Sequence, residues 1–290
     1  MARIAIVGPG AIGGTMAVWL QQRAQHEVVL CARRPIQRLR LTDGATVLSA
    51  KLQVLTAPSE ATPVDWVLVA TKAYDAAGAA AWFEGLRSEG APVAILQNGV
   101  EHRERFADFV AAEKIVPVMV DCPAERSAPG EIRVRGAAKM AVADDELGRH
   151  FASLFANTPV TVELSSDFRS TLWRKLCLNS AGALSAILLK PAGVMRDERI
   201  GEIARGLVRE CISVGRAEGA LLDDSLVESV LQAYRNAPPD SMNSLHADRA
   251  AGRPMEVDAR NGVIVRLGRK HGIATPYNET LVALLSAVRD

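Results

Sequence analysis

The chain has 290 residues, of which 49% are apolar and 23% charged, with 34 Lys and Arg against 33 Asp and Glu for a formal net charge of +1. That balance excludes a disordered, collagenous or membrane-embedded chain, and the length suggests two domains. A charge so near zero favours neither nucleic acid nor an anionic membrane surface as partner and points to a small molecule.

Arg3 to Val7 is a short apolar run rich in β-branched residues; glycines follow at once, and Met16 to Leu20 then shows a helical pattern. This reads as strand, tight turn, helix. Glu27 to Ala32, Asp65 to Ala70 and Pro92 to Leu96 read as further strands, with helix-like stretches over 73–87 and 100–112. Such alternation argues for an α/β domain with a parallel sheet and helices on its faces. Between about 115 and 143 the texture changes to short β-type pieces, Ile115 to Val120 and Ile132 to Val134, separated by Pro123, Pro129 and Gly130. These are expected to extend the same sheet with antiparallel strands. From Asp167 onward the pattern is helical, over roughly 167–188, 197–219, 223–235, 242–251, 256–271 and 276–288. Asn236, Pro238, Pro239 and Asp240 break it in what reads as a loop beside a site.

Gly8, Pro9 and Gly10 interrupt the apolar N-terminus, together with Gly13 and Gly14. A signal peptide is therefore not expected, and no later run of about 20 uncharged apolar residues offers a membrane span. Cys31, Cys122, Cys177 and Cys211 are far apart and lack metal-ligand spacing. They read as reduced core thiols of a cytoplasmic protein, and no metal site is expected. His26, His102, His150 and His271 have no metal-ligand partners in sequence, and His246, two residues after Ser244, reads first as an ordinary solvated or packed histidine and only second as one that faces the site.

The segment Gly8-Pro9-Gly10-Ala11-Ile12-Gly13 is a GxGxxG placed directly after a strand and opening a helix. Gly8 allows the tight turn, Gly10 lets a pyrophosphate approach the backbone, and Gly13 lets helix and strand pack closely, with free N–H groups at the helix start facing the phosphates. A purely structural glycine turn is the competing explanation. About 20 residues past the last glycine, an NAD site offers Asp or Glu to the ribose. This chain has Cys31, Ala32, Arg33 and Arg34 there. Guanidinium groups at that point can pair with a 2′-phosphate, so NADPH is expected over NADH, with Arg33 the better candidate and Arg34 second. Lys72, just after the third strand, could add positive charge near the same phosphate. A solvated basic loop would look the same in sequence.

Lys175 and Asn179 lie four apart on one face of an otherwise apolar helix. An ammonium there can protonate a carbonyl oxygen as hydride arrives at its carbon; a lysine that snorkels to solvent fits the spacing equally. Ser244 sits in the helix after the Pro-Pro break, and Glu256 begins the next, where it could equally complement a helix dipole. Gln97-Asn98-Gly99 follows a strand at its carboxyl end, the edge where open α/β sheets bind ligands, although Asn-Gly is also a turn former.

Taken together these residues resemble the ketopantoate reductase (2-dehydropantoate 2-reductase) family across essentially the whole chain. The resemblance rests on the opening GxGAIG, Thr71-Lys72-Ala73, Gln97-Asn98-Gly99-Val100, Lys175-x-x-x-Asn179, and Ser244 twelve residues before Glu256-Val-Asp258-x-x-Asn261-Gly262. It implies a Rossmann-type NADP-binding domain over 1–166 and an all-helical substrate and catalytic domain over 167–290. It also implies NADPH-dependent reduction of a 2-oxo acid, foremost ketopantoate to pantoate in pantothenate biosynthesis. By resemblance, Lys175 looks like the general acid and Glu256 like the group that orients lysine and substrate. Ser244 looks like a substrate contact, Asn98 and Asn179 like amides holding cofactor or substrate, and a homodimer through the helical domain is implied. Members using ketopantoate usually carry another Asn eight residues after the lysine and a further one beyond it. This chain has Ala183 and no Asn from Leu184 to Met195. A reductase of another 2-oxo acid, a β-hydroxyacid dehydrogenase relative and a non-catalytic NADPH-binding sensor are the alternatives.

Overall fold

The computed structural model describes residues 1–87 and 90–288 and divides into two compact units. One comprises Met1–Gln97 and Glu101–Phe168; the other comprises Asn98–Val100 and Arg169–Asp290.

The N-terminal unit is built on a six-stranded, all-parallel sheet, in spatial order Gln53–Leu55, Glu27–Cys31, Arg3–Val7, Trp66–Val69, Val93–Ile95 and Ile115–Pro117. Its inner strands Trp66–Val69 and Val93–Ile95 read as continuous apolar runs because both faces are buried. Ile4, Ile6, Leu30, Trp66 and Leu68 enter one core, and Ala5, Val7, Val29, Val67 and Val69 enter the core on the opposite face. The helix Ala11–Gln22 is buried continuously from Gly13 to Leu20. It packs between this sheet and a second one, so it shows no polar stripe over that span.

The expectation for 115–143 is corrected. Ile115–Pro117 does join the main sheet, but as a parallel strand. Met119–Asp121 pairs antiparallel with Lys139–Ala143 in a separate three-stranded sheet that ends in Thr161–Ser165. Glu131–Val134 lies in a four-stranded sheet with Ala124–Ala128, Leu39–Asp43 and Thr46–Ala50. Apolar alternation reveals that a segment is extended, but not which distant strand it pairs with. The helical stretches expected over 73–87 and 100–112 are also shorter, surviving as Ala76–Ala80, Phe83–Leu86 and His102–Phe106. Gly78 and Gly85 lie inside the two surviving pieces of the first stretch, which is interrupted by a turn at Ala81 and Trp82.

The second unit holds the helices Phe168–Leu188, Glu198–Ala217, Leu226–Asn236, Ser244–Ala250, Val263–His271 and Pro276–Ala287 around one core that includes Trp173, Leu176, Leu207, Cys211, Val230 and Ile264. A buried carboxylate organises it. Glu210 accepts from the backbone N–H of Tyr277 at 2.8 Å and of Asn278 at 2.9 Å, capping the last helix, and from Asn278 Nδ2 at 2.6 Å. Asn278 Oδ1 in turn accepts from Asn261 Nδ2 at 2.9 Å, and Asn261 also donates to the Ser180 carbonyl at 3.2 Å. Cys31, Cys177 and Cys211 are buried free thiols, and Cys122 is half-buried and free. No helix among the described residues is long and apolar enough to cross a membrane.

Candidate active site

In the N-terminal unit, the first strand ends at Val7 beside Cys31 and Val69 of its two neighbours. Gly8 turns the chain there with φ +91°, and a Cβ on it would lie 2.7 Å from the Thr71 side chain. A Cβ on Gly13 would lie 2.4 Å from the Gly8 carbonyl, so only glycine lets the helix start this close to the strand. Gly10 differs: its φ is −78° and a Cβ would meet nothing within 4 Å. The space in front of Gly10 is open, no side chain caps the helix that Ala11 and Ile12 begin, and no acid stands in its first turn. That is the form of an anion cradle.

Gly8 N–H donates to the Cys31 carbonyl at 3.1 Å, which ties the glycine turn to the end of the second strand. Arg33 and Arg34 follow that end in a bend and are exposed, with no acid at the position. Gln97 Nε2 donates to Thr71 Oγ1 at 3.0 Å and to the Lys72 carbonyl at 3.3 Å, gathering the segments that follow Trp66–Val69 and Val93–Ile95 beside Gly8. His102 fastens this corner through Nε2 to the Gln97 carbonyl at 2.9 Å. Burial pulls the His102 imidazole down to about 4, so it is neutral and donates from Nε2.

In the helical unit, Asn98 Nδ2 donates to Glu256 Oε2 at 3.1 Å, and Asn179 Nδ2 donates to Asn98 Oδ1 at 3.5 Å. Glu256 is 5% exposed and Asn179 6%. Gly99 holds Asn98 in place, with φ +109° and a virtual Cβ 2.9 Å from the Ala259 carbonyl. Lys175 lies one turn before Asn179 on the helix Phe168–Leu188 and is half-buried. Ser244 is exposed at the first turn of Ser244–Ala250, whose cap is Asn243. His246 in that helix is buried, and burial lowers its pKa, with Arg249 acting in the same direction.

Glu256 precedes a π-helical turn, Asp258–Gly262, closed by Gly262 N–H to the Val257 carbonyl at 2.9 Å. Ala259, Arg260 and Asn261 are buried in succession within this turn. Arg260 is 3% exposed and donates through Nη2 to Asn179 Oδ1 at 2.7 Å. Sequence reasoning missed it, because an arginine in a helical pattern reads as a solvated face.

Residues 4–146 match the family described as Ketopantoate reductase PanE/ApbA, and residues 167–289 match its C-terminal domain. The chain belongs to the ketopantoate reductase family. It is similar to the 2-dehydropantoate 2-reductase of Caulobacter vibrioides, 52% identical over 99% of both chains. It is also similar to that of Mycobacterium tuberculosis, 40% identical over 99% of this chain and 98% of the relative. Among solved structures, a PanE/ApbA family ketopantoate reductase from Ralstonia eutropha JMP134 superposes with a TM-score of 0.90 at 34% identity, covering 99% of this chain and 98% of the other. The α/β N-terminal unit with its Rossmann-like parallel sheet and the helical second unit are thus the ketopantoate reductase architecture.

Proposed function

We propose that this chain is an NADPH-dependent reductase converting a small 2-oxo acid to the 2-hydroxy acid, with 2-dehydropantoate as substrate and pantoate as product. The observation that carries the reading is the Asn98–Glu256 hydrogen bond, which joins two sequence-distant polar groups in the unit that also bears Lys175. In this reading residues 1–166 hold the cofactor and 167–290 supply the acid and substrate contacts.

The open space at Gly10 and the uncapped helix start fit a pyrophosphate, which Gly8, Gly10, Ala11, Ile12 and Gly13 would hold. Exposed Arg33, with Arg34 and Lys72, would take the 2′-phosphate and select NADPH. When bound, NADPH supplies the hydride. Lys175 Nζ carries the proton that the keto oxygen takes up, and its charge stabilises the developing alkoxide. Glu256 orients that ammonium and the substrate, Asn98 and Asn179 offer amide groups, and Ser244 contacts the substrate's polar end.

One observation favours a second reading. Ala183, fully buried on the same helix as Lys175 and Asn179, brings no hydrogen-bonding group. A site without that partner discriminates less against 2-oxo acids lacking a substrate hydroxyl. NADPH oxidation with 2-dehydropantoate, then with a panel of other 2-oxo acids, tests both readings. Turnover of another acid alone selects the second, and turnover of none overturns both. The same proposal places a homodimer in the cytosol, an assignment its four free thiols support and light scattering checks for the dimer.

A further inference from the structure

Arg260, Asn179, Asn98 and Glu256 form one hydrogen-bonded series, with successive distances of 2.7, 3.5 and 3.1 Å. Its two ends differ in kind. A guanidinium can only donate, and a carboxylate can only accept. Between them stand two amides, each of which could be turned either way. Arg260 at one end obliges Asn179 to present Oδ1 to it and therefore to aim Nδ2 at Asn98. Glu256 at the other end obliges Asn98 to present Nδ2 to it and Oδ1 to Asn179. Both orientations satisfy every link, and turning either amide sets donor against donor or acceptor against acceptor.

We propose that Arg260 is a positioning residue that fixes the orientation of the Asn179 and Asn98 amides, and thereby which of their groups face the oxo acid or cofactor. This rests on the reductase reading for its functional consequence but not for its structural one.

The energetics point the same way. Nε and Nη1 of Arg260 are buried and meet no hydrogen-bond partner among the described residues. A guanidinium so placed is costly, and an apolar side chain of similar volume would serve packing better. Burial lowers its pKa, opposed by Tyr234, Glu256 and Asp248. Tyr234 is otherwise engaged, donating to the Leu178 carbonyl at 2.9 Å, and Asp248 pairs with Arg253 at 2.9 Å. Among the described residues, the one hydrogen bond that the Arg260 guanidinium makes is to Asn179.

The test is a double-mutant cycle between Arg260→Met and Asn98→Ala, two links apart, read as kcat and KM for the oxo acid in proteins whose thermal melts show them folded. Arg260→Met alone should lower kcat/KM about 10- to 100-fold, the range for losing a bond to a charged group. The two changes together should cost much less than the product of their separate effects. Arg260→Lys, which keeps a donor, should recover part of the loss. Strict multiplicativity would overturn the relay, as would Arg260→Lys behaving like Arg260→Met. Should Arg260→Met fail to fold, the cycle is run with Arg260→Lys. Side-chain amide NMR provides a readout independent of turnover. The Asn98 Nδ2 resonances should shift on changing Arg260, although the two residues share no bond, and unmoved resonances would overturn the proposal even in an enzyme whose substrate lies elsewhere.

Discussion

Asn98 reaches Glu256 at 3.1 Å across 158 positions of chain, so a residue at the end of a sheet strand becomes part of the helical unit's polar cluster. Gly99 is what allows it. At φ +109°, with the Ala259 carbonyl 2.9 Å from where a Cβ would stand, Gly99→Ala must strain the turn and push it off the π-helical segment. The expected result is a loss of about 1–3 kcal/mol in denaturant unfolding, together with a fall in kcat/KM as Asn98 is displaced.

Lys175→Ala should lower kcat by about 100- to 10,000-fold, the usual worth of a positioned general acid. NADPH affinity, measured by nicotinamide fluorescence, should change little, because the proton is needed only in the transition state. Near-normal turnover would remove the role.

Gly10 and Gly13 should respond oppositely to the same change. Gly10→Ala meets nothing within 4 Å and has an ordinary φ, so the melting temperature should stay near that of the parent while NADPH binding weakens. Gly13→Ala places a methyl 2.4 Å from the Gly8 carbonyl and should destabilise the fold itself. Calorimetry on both variants separates the two roles.

Replacing Arg33 and Arg34 together by Glu should reverse the cofactor preference. If the two guanidinium groups hold the 2′-phosphate as proposed, each charge-assisted bond is worth about 1.5–3 kcal/mol, so NADPH affinity should fall at least tenfold while NADH affinity holds or improves. Unchanged selectivity in paired titrations would transfer the phosphate to other groups.

His102 gives the fold an acid sensitivity. Its folded value of about 4 lies below the ordinary 6.5, so the unfolded chain takes up the proton first. The stability this histidine lends is fully present above pH 6.5 and is lost as pH falls toward about 4. Urea midpoints measured across that window should decline, and in His102→Gln, which keeps a donor for the Gln97 carbonyl, the decline should be shallower.

Local chemistry was readable directly from the chain. The apolar run from Ile4 to Val7 and the strand Trp66–Val69 are unbroken because both faces of the central sheet are covered there. The glycine turn is legible because its constraints act between neighbours, and Lys175 and Asn179 share a face because helix geometry repeats every 3.6 residues. Partner choice is a different kind of information. Whether Glu131–Val134 pairs with Leu39–Asp43, whether Asn98 finds Glu256, and whether buried Arg260 meets Asn179 all depend on groups brought together from remote parts of the chain. No local period encodes those contacts, since each arises from satisfying buried polar groups and packing surfaces only after the elements have assembled.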